Sequence, residues 1–394
     1  MLNKRKPHQA KSRDGRSKSV GGVLAQIEAI NQKLPKKPTT VFAFNAATGE
    51  PFGSEEEGGG RAAPEISVVI PVFNCEKYLP ATLDMLLGQT IKNIEVLCIN
   101  DGSTDRSREI LEARAAEDTR LIVINQENQG QSSARNKGLD AARGRFIGFM
   151  DADDAVPLNY FEVLCRAAEE GNADMVHCRV NYTYPDGTVE EYSLNHAILR
   201  LDTRLPCNKL FFTYISGFIW NKVYRRELLK DLRFIEGIYW EDNPFTMAAA
   251  LKARRILTVS DVYYDYLQRP NSTVHSIKPK IHFDLVKSTN FMLKYLNESP
   301  DVEKWMYRDF ARHISGRLEA EIERAENNKG LAPAELKRFR RECFRTLLRI
   351  KHIPLSQKLG CEEEISRMRK HASAFARPFR IIEIPFRVIF NLFH

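Results

Sequence analysis

Apolar positions along the chain fall into short unbroken runs and into helical spacings, and the two alternate. Ile66–Val72 (ISVVIPV), Ile94–Ile99 (IEVLCI), Leu121–Ile124, Phe146–Met150 (FIGFM) and Met175–Val180 are nearly continuous and rich in β-branched residues, the pattern of strands buried on both faces. Lys77–Leu87, Thr104–Ala116, Gln131–Arg143 and Leu158–Glu170 have the spacing of amphipathic helices. Such alternation at short intervals predicts an α/β unit, a mostly parallel sheet with helices on both faces. Right-handed crossovers then place the C-terminal ends of its strands on one edge, where α/β ligands bind. From about residue 280 the pattern turns helical, over Phe283–Leu296, Val302–Asn327, Ala332–Arg349 and Cys361–Ala376. Ahead of the first strand, Val23–Leu34 reads as one short amphipathic helix, and 35–63, with PKKP and SEEEGGG, as a linker.

Composition changes this picture at the ends. With 394 residues, 43% hydrophobic and 28% charged, the chain has an ordinary globular balance. The formal charge of +8 is concentrated in a tail, where Lys4, Arg5, Lys6, Lys11, Arg13, Arg16 and Lys18 face only Asp14. The last stretch, Phe375–His394, mixes aromatic and aliphatic residues with Arg377, Arg380 and Arg387. It is too short and too charged to span a bilayer, and reads as a peripheral membrane contact or a segment docked on protein. No run of about 18 apolar residues predicts a spanning helix. Met1–Ser19 lacks the apolar stretch of a secretory signal, so a cytoplasmic location is expected, possible contact with the inner face of the membrane included. Seven cysteines without a CxxC pair disfavour a zinc ribbon or a redox motif and read as reduced, mostly buried thiols.

Chemistry gathers where three predicted strands end. Pro71-Val72-Phe73-Asn74-Cys75-Glu76 follows the first, Asn100-Asp101-Gly102-Ser103-Thr104-Asp105 the second, and Asp151-Ala152-Asp153-Asp154 the fourth. The topology makes these distant segments neighbours. Three carboxylates at the end of a buried strand repel one another unless a cation neutralises them, and oxygen ligands select Mg²⁺ or Mn²⁺. The competing reading of Asp153 and Asp154 is helix capping before Leu158. Ser103 or Thr104 caps the next helix, leaving Asp101 free to accept from a base or ribose. GxGxxG after the first strand and GxxxxGK[ST] are both absent, which disfavours a nicotinamide dehydrogenase or a P-loop NTPase. Lys222 and Arg225 or Arg226 could meet a phosphate, but read first as a solvated face.

Residues 65–154 resemble the nucleotide-sugar domain of family 2 glycosyltransferases with the GT-A fold, in ISVVIPVFNCEKYLPATLDMLLGQT, IEVLCINDGSTDRS and NQENQGQSSARNKGLDAARGRFIGFMDADD. The likeness continues in GFIWNKVYRREL, FIEGIYWEDNPF and VYYDYLQRPNSTVHS, to about residue 280. It implies a GT-A Rossmann-like sheet followed by a helical C-terminal region, of the kind found in bacterial cell-surface polysaccharide enzymes. The division expected is a basic tail and linker over 1–63, a transferase domain over 64–280, helices over 281–374 and the aromatic–Arg segment over 375–394.

By the same resemblance, Pro71, Phe73 and Glu76 line the base pocket, Asp101 binds the base edge and Arg135 approaches the pyrophosphate. Asp151 and Asp153 hold ribose and metal, with Asp154 as an alternative ligand and His275 as a further metal or phosphate contact. Asp242, after Glu241, matches the catalytic base, although the two are not separable at this level. Trp220 and Trp240 border the acceptor. Two departures stand out: Asn100-Asp101 replaces a frequent Asp-Asp, and Phe73 a frequent Tyr. The expected activity is an inverting, divalent-cation-dependent transfer of a hexosyl group from a UDP-sugar or similar donor to a glycan or lipid-linked acceptor, with no nucleic-acid partner. The alternatives are a nucleotidyltransferase, which normally needs a Gly-rich basic loop where Phe73–Glu76 stands, and a non-catalytic binding protein of the same fold.

Overall fold

The computed structural model describes residues 63–184, 186–192, 217–268, 278–299, 302, 304–327 and 331–349. The short helix expected at Val23–Leu34, the last predicted helix and the aromatic–Arg segment lie outside the described residues, as does His275.

Among the described residues eight strands form one sheet: β1 (Ile66–Val72), β2 (Ile94–Asp101), β3 (Leu121–Gln126), β4 (Phe146–Phe149), β5 (Met175–Thr183), β6 (Val189–Glu191), β7 (Lys222–Arg225) and β8 (Ile256–Leu267). Their order is β3-β2-β1-β4-β7-β5-β6, with β8 paired to β5. The first four are parallel. Helices α1 (Leu79–Leu87), α2 (Ser107–Glu117), α3 (Gln131–Ala141) and α4 (Tyr160–Glu170) connect and cover them. β1 has β2 on one side and β4 on the other, so the chain reverses its direction of growth there. That switch point opens a crevice at the strand ends.

Local chemistry explains these elements. All eight residues of β2 are buried, as a strand covered on both faces requires. Pro71 lies in β1 but beyond Val69, its last residue paired with β4, so its missing N–H costs nothing on that side. α3 lies so close to the sheet that a Cβ on Gly138 would stand 2.3 Å from Val69 Cγ1. β7 departs from the parallel pattern and runs antiparallel to both β4 and β5. The 12-residue β8 pairs parallel with β5, with a register shift between Cys178 and Arg179.

α5 (Arg226–Leu229) follows β7, and α6 (Asp242–Lys252) precedes β8. A helical layer of α7 (Pro279–Glu298), α8 (Lys304–Asn327) and α9 (Pro333–Leu348) follows and packs on α6. Among the described residues no helix is long and apolar enough to cross a membrane. Cys98, Cys165, Cys178 and Cys343 are buried free thiols, and Cys75 is half-buried.

Candidate active site

The strand ends converge as the topology requires. A cavity of about 1180 Å³ is lined by Pro71, Phe73, Asp101, Asp151 and Asp153 on one side, and by Trp220, Trp240, Glu241 and Asp242 on the other. It is larger than the usual small-molecule pocket, which leaves room for two ligands side by side.

Phe73 is 47% exposed at the rim, its ring unclaimed by the core. Asp101 reaches the wall, but it is not free. Gln126 Nε2 and the Gln129 N–H donate to Oδ1 at 2.7 and 2.9 Å, and the Gly130 N–H donates to Oδ2 at 2.9 Å. This carboxylate therefore pins the loop that leads into α3. Glu76 does not line the cavity; it is exposed and accepts from the Arg106 N–H at 3.0 Å, capping α2.

The three clustered aspartates part company after β4. Asp151 and Asp153 open into the cavity. Asp154 turns the other way and is 4% exposed, accepting from Tyr264 Oη at 2.8 Å and from the Leu267 N–H at 2.9 Å. Burial pushes its carboxyl well above the usual range, and the charges of Asp151 and Asp153 push it further. As placed, Asp154 ties the DADD turn to β8 and does not face a ligand. Two hard oxygen-bearing side chains thus remain toward the cavity, Asp153 and the Asp151 that also accepts from Arg135. That suits a divalent ion shared with substrate phosphates. Among the described residues no cluster of three or more His, Cys, Asp or Glu side chains makes a protein-only cage.

At the back of the cavity Arg135 gathers three carboxylates. Its Nη2 donates to Asp151 Oδ1 at 2.9 Å, and its Nη1 to Glu241 Oε1 at 2.7 Å and to Asp242 Oδ1 at 3.2 Å. The guanidinium stands 5.6 Å from the Phe234 ring, which stacks on Phe245 of α6 at 3.9 Å. Burial opposes its charge, yet Asp242, Asp151 and Glu241 more than compensate, and its pKa rises. A pyrophosphate contact was expected of Arg135; its head group is instead occupied in joining the two sides of the cavity.

Glu241 and Asp242, alike in sequence, differ in place. Glu241 is 3% exposed and takes a second hydrogen bond from Gln131 Nε2. Asp242, in the first turn of α6, keeps 23% of its side chain exposed. Burial pushes the Asp242 carboxyl well above the usual carboxylate range; Arg135 opposes this, and Glu241 and Asp151 add to it. A carboxylate so perturbed is a stronger base than a solvated one.

Trp220 is 3% exposed, stacked between Phe218 and Tyr264 at 4.3 and 4.2 Å, so it serves as packing with one edge at the cavity. Trp240 is half-buried with φ +65°, its Nε1 donating to the Ile281 carbonyl at 3.1 Å. Positive φ at a bulky residue is strained, and it sits directly before Glu241 and Asp242. Lys222, read as solvated, is fully buried; its Nζ donates to the Phe218 carbonyl and to Asn221 Oδ1. Pattern reading also missed Tyr192, His313 and Arg317, which line the cavity from β6's far side and from α8; nothing in their local sequence marks them.

Comparison with known proteins bears on the fold and the family. The profile described as Glycosyl transferase family 2 matches residues 67–233. The chain is 35% identical over 246 residues to the uncharacterized glycosyltransferase EpsJ of Bacillus subtilis, covering 59% of this chain and 70% of EpsJ. It is 33% identical over 224 residues to glycosyltransferase GlyG of Streptococcus pneumoniae, covering 54% and 73%. Among solved structures, residues 1–349 of S. aureus TarS in complex with UDP-GlcNAc superpose with TM-score 0.61 at 21% identity, over 80% of this chain and 92% of that one. At that identity the likeness speaks to the fold, which is GT-A. With a relative this similar over most of its length, the chain belongs to glycosyl transferase family 2 and is a glycosyltransferase.

Proposed function

We propose that the chain transfers a hexosyl group from a UDP-sugar to a hydroxyl of a glycan or lipid-linked acceptor, with inversion, and that Asp242 is the base. The observation that carries this reading is the asymmetry within the Arg135 network. Of the two adjacent carboxylates, Glu241 is clamped by Arg135 and Gln131, while Asp242 keeps an open edge on the cavity that holds Asp151 and Asp153. The UDP and UDP-GlcNAc bound in TarS structures of the same fold support the choice of donor. A relative that acts in minor teichoic acid biosynthesis supports a surface-polymer acceptor.

Donor binding falls to the side built by β1, β2 and β4. The exposed Phe73 ring stacks on the base, Pro71 borders it, and Asp101 holds the neighbouring loop in shape. Asp151 and Asp153 would hold Mn²⁺ or Mg²⁺, which when bound offsets the charge gained by the departing diphosphate. The anomeric carbon passes through an oxocarbenium-like state. Asp242 takes the proton of the attacking hydroxyl, worth about 10²–10⁴-fold in rate. A single base opposite the leaving group gives one displacement, hence inversion. Because this base must be ionised, the rate falls as pH drops through its raised pKa, so the acid limb lies above the ordinary carboxylate range. Family membership sets aside the nucleotidyltransferase alternative.

The test uses UDP-GlcNAc, with UDP release and product anomer followed by NMR. Asp242→Asn keeps UDP binding and loses transfer by at least a hundredfold; Asp153→Ala loses cation-dependent UDP binding as well. Normal turnover in Asp242→Asn removes it as the base, and a retained anomer removes the single displacement.

A further inference from the structure

Helix α8 belongs to the C-terminal helical layer, yet one face of it reaches the cavity through His313 and Arg317. Arg317 is anchored by neutral groups. Its Nη1 donates to Asn243 Oδ1 at 2.7 Å, and its guanidinium carbon lies 5.1 Å from the centre of the Trp240 ring. These contacts orient the guanidinium without cancelling its charge, and it forms no ion pair with a described carboxylate. The contrast with Arg135, held by three carboxylates in the same cavity, is direct. Burial lowers the pKa of Arg317, and only the more distant Tyr192, Glu321 and Asp242 offset that cost. A half-buried cation without an ion-paired counter-charge gains when an anion arrives. Lys278, exposed at the start of α7, lines the mouth of the same cavity.

The position of Arg317 says which ligand that anion belongs to. It is bonded to the residue after Asp242 and faces Trp240, whereas the donor side is marked by Phe73, Asp101 and Asp153. A group bound there is part of whatever presents its hydroxyl to Asp242. A guanidinium fork matches phosphate oxygens bidentately, and a lysine at the mouth suits a second oxyanion further along. We propose that Arg317, with Lys278 at the rim, is an acceptor-phosphate site: the acceptor carries a phosphate next to the hydroxyl that is glycosylated. This rests on Asp242 being the base, as proposed above. It narrows the acceptor to a phosphodiester-linked polymer or a lipid-linked diphosphate.

Calorimetric titration of the full chain, saturated with UDP and Mn²⁺, tests this with the donor's own phosphate site filled. The probes are sn-glycerol 3-phosphate, for a phosphodiester chain, and farnesyl diphosphate, for a lipid diphosphate; glycerol is the neutral control. One phosphate probe binds and glycerol does not, and the tighter probe identifies the source. Arg317→Gln weakens that probe at least tenfold while UDP affinity changes less than twofold, and Arg317→Lys falls between. Three outcomes overturn the proposal: neither phosphate probe binds the UDP-loaded protein; the Gln variant binds it as well as the wild type; or the Gln variant loses UDP instead, which assigns the guanidinium to the donor diphosphate. Should Arg317→Gln not fold, Lys278→Gln on the exposed rim gives a two- to fivefold loss, and unchanged binding there overturns the proposal too. Failure of the transfer reading shows separately, as wild-type turnover of UDP-GlcNAc in Asp242→Asn.

Discussion

Around β1, β2 and β4 the interior is aliphatic and aromatic, with Val68, Val69, Ile70, Val96, Leu97 and Phe149 almost fully buried; its buried carboxylates, Glu95 and Asp101, sit at the two ends of β2. Around β7, α6 and α7 the interior also holds charge: Lys222, Glu241 and Asp284 are each 2% exposed or less. Asp284 takes hydrogen bonds from Lys280, Lys287 and the Tyr239 N–H, fixing the loop before Trp240. The β1, β2 and β4 side, to which we assign the donor, is thus a sheet edge assembled by hydrophobic burial, which is non-directional. The Glu241–Asp242 side, to which we assign the base, is positioned by directional contacts among residues far apart in the chain. One consequence is that damage to the buried interior of the first region costs stability, whereas damage to the Arg135 network of the second costs stability and chemistry together.

The sharpest way to break this contrast is at Arg135, where the two regions meet. Arg135→Met leaves Glu241 buried without its counter-charge, Gln131 still bonded to it, and releases Asp151 from Asp242. A loss of about 3–5 kcal/mol in stability is expected, with transfer abolished; thermal unfolding and UDP release measure the two. A variant that unfolds like wild type would mean that the two sides are joined by other contacts.

Next comes Lys222, whose buried ammonium has its pKa lowered to about 7, burial outweighing the opposing effects of Cys178 and Asp242. The unfolded chain therefore binds a proton that the folded chain lacks between about pH 7 and the ordinary lysine value near 10.4. Stability contributed by this group rises with pH across that window, by up to about 1.4 kcal/mol per unit. Denaturant titrations at several pH values should show that rise as the difference between wild type and Lys222→Met, since other titrating groups cancel. An unchanged difference would place Lys222 in water.

Gly138→Ala sharpens the comparison from the other side. The added methyl meets Val69 and Ile99, and overpacking costs about 1–3 kcal/mol. The melting temperature falls, while the acid limb of the rate, set by Asp242, stays where it was. The smallest effect is expected at Phe73→Ala. The ring is exposed, so stability is unchanged, and UDP binding weakens by about 0.5–1.5 kcal/mol, the usual worth of an aromatic stack. Calorimetry with UDP checks it; loss of stability instead would mean that the ring packs on protein.

Much of the donor side was legible along the chain. The expected Ile66–Val72 is β1 itself, Phe146–Met150 overruns β4 by one residue, and Gln131–Arg143 overruns α3 by two. Continuous burial on both faces leaves a mark in the sequence that survives without knowing the neighbours. The convergence of Pro71, Phe73, Asp101, Asp151 and Asp153 follows from strand order and was legible for the same reason. β7 and the 12-residue β8 left no such mark, because an antiparallel insertion and a register shift are settled by pairing partners. Asp154 was grouped with Asp151 and Asp153 because the three share a side-chain type; the turn closed by the Asp154 N–H on the Asp151 carbonyl and the waiting Tyr264 hydroxyl separate them.

By itself the order of residues determined that a mostly parallel sheet would bring acidic strand ends to one rim, since burial periodicity and right-handed connections are local rules. Tertiary structure alone decided which carboxylate is open and which is clamped, which lysine is dry, and that α8 sends Arg317 to the Trp240–Asp242 side of the cavity. Those outcomes depend on distances between side chains that the fold brings together, from 74 residues apart for Arg317 and Asn243 to 110 for Gln131 and Glu241, and hydrogen bonds and charges act over ångströms in space whatever their separation along the chain.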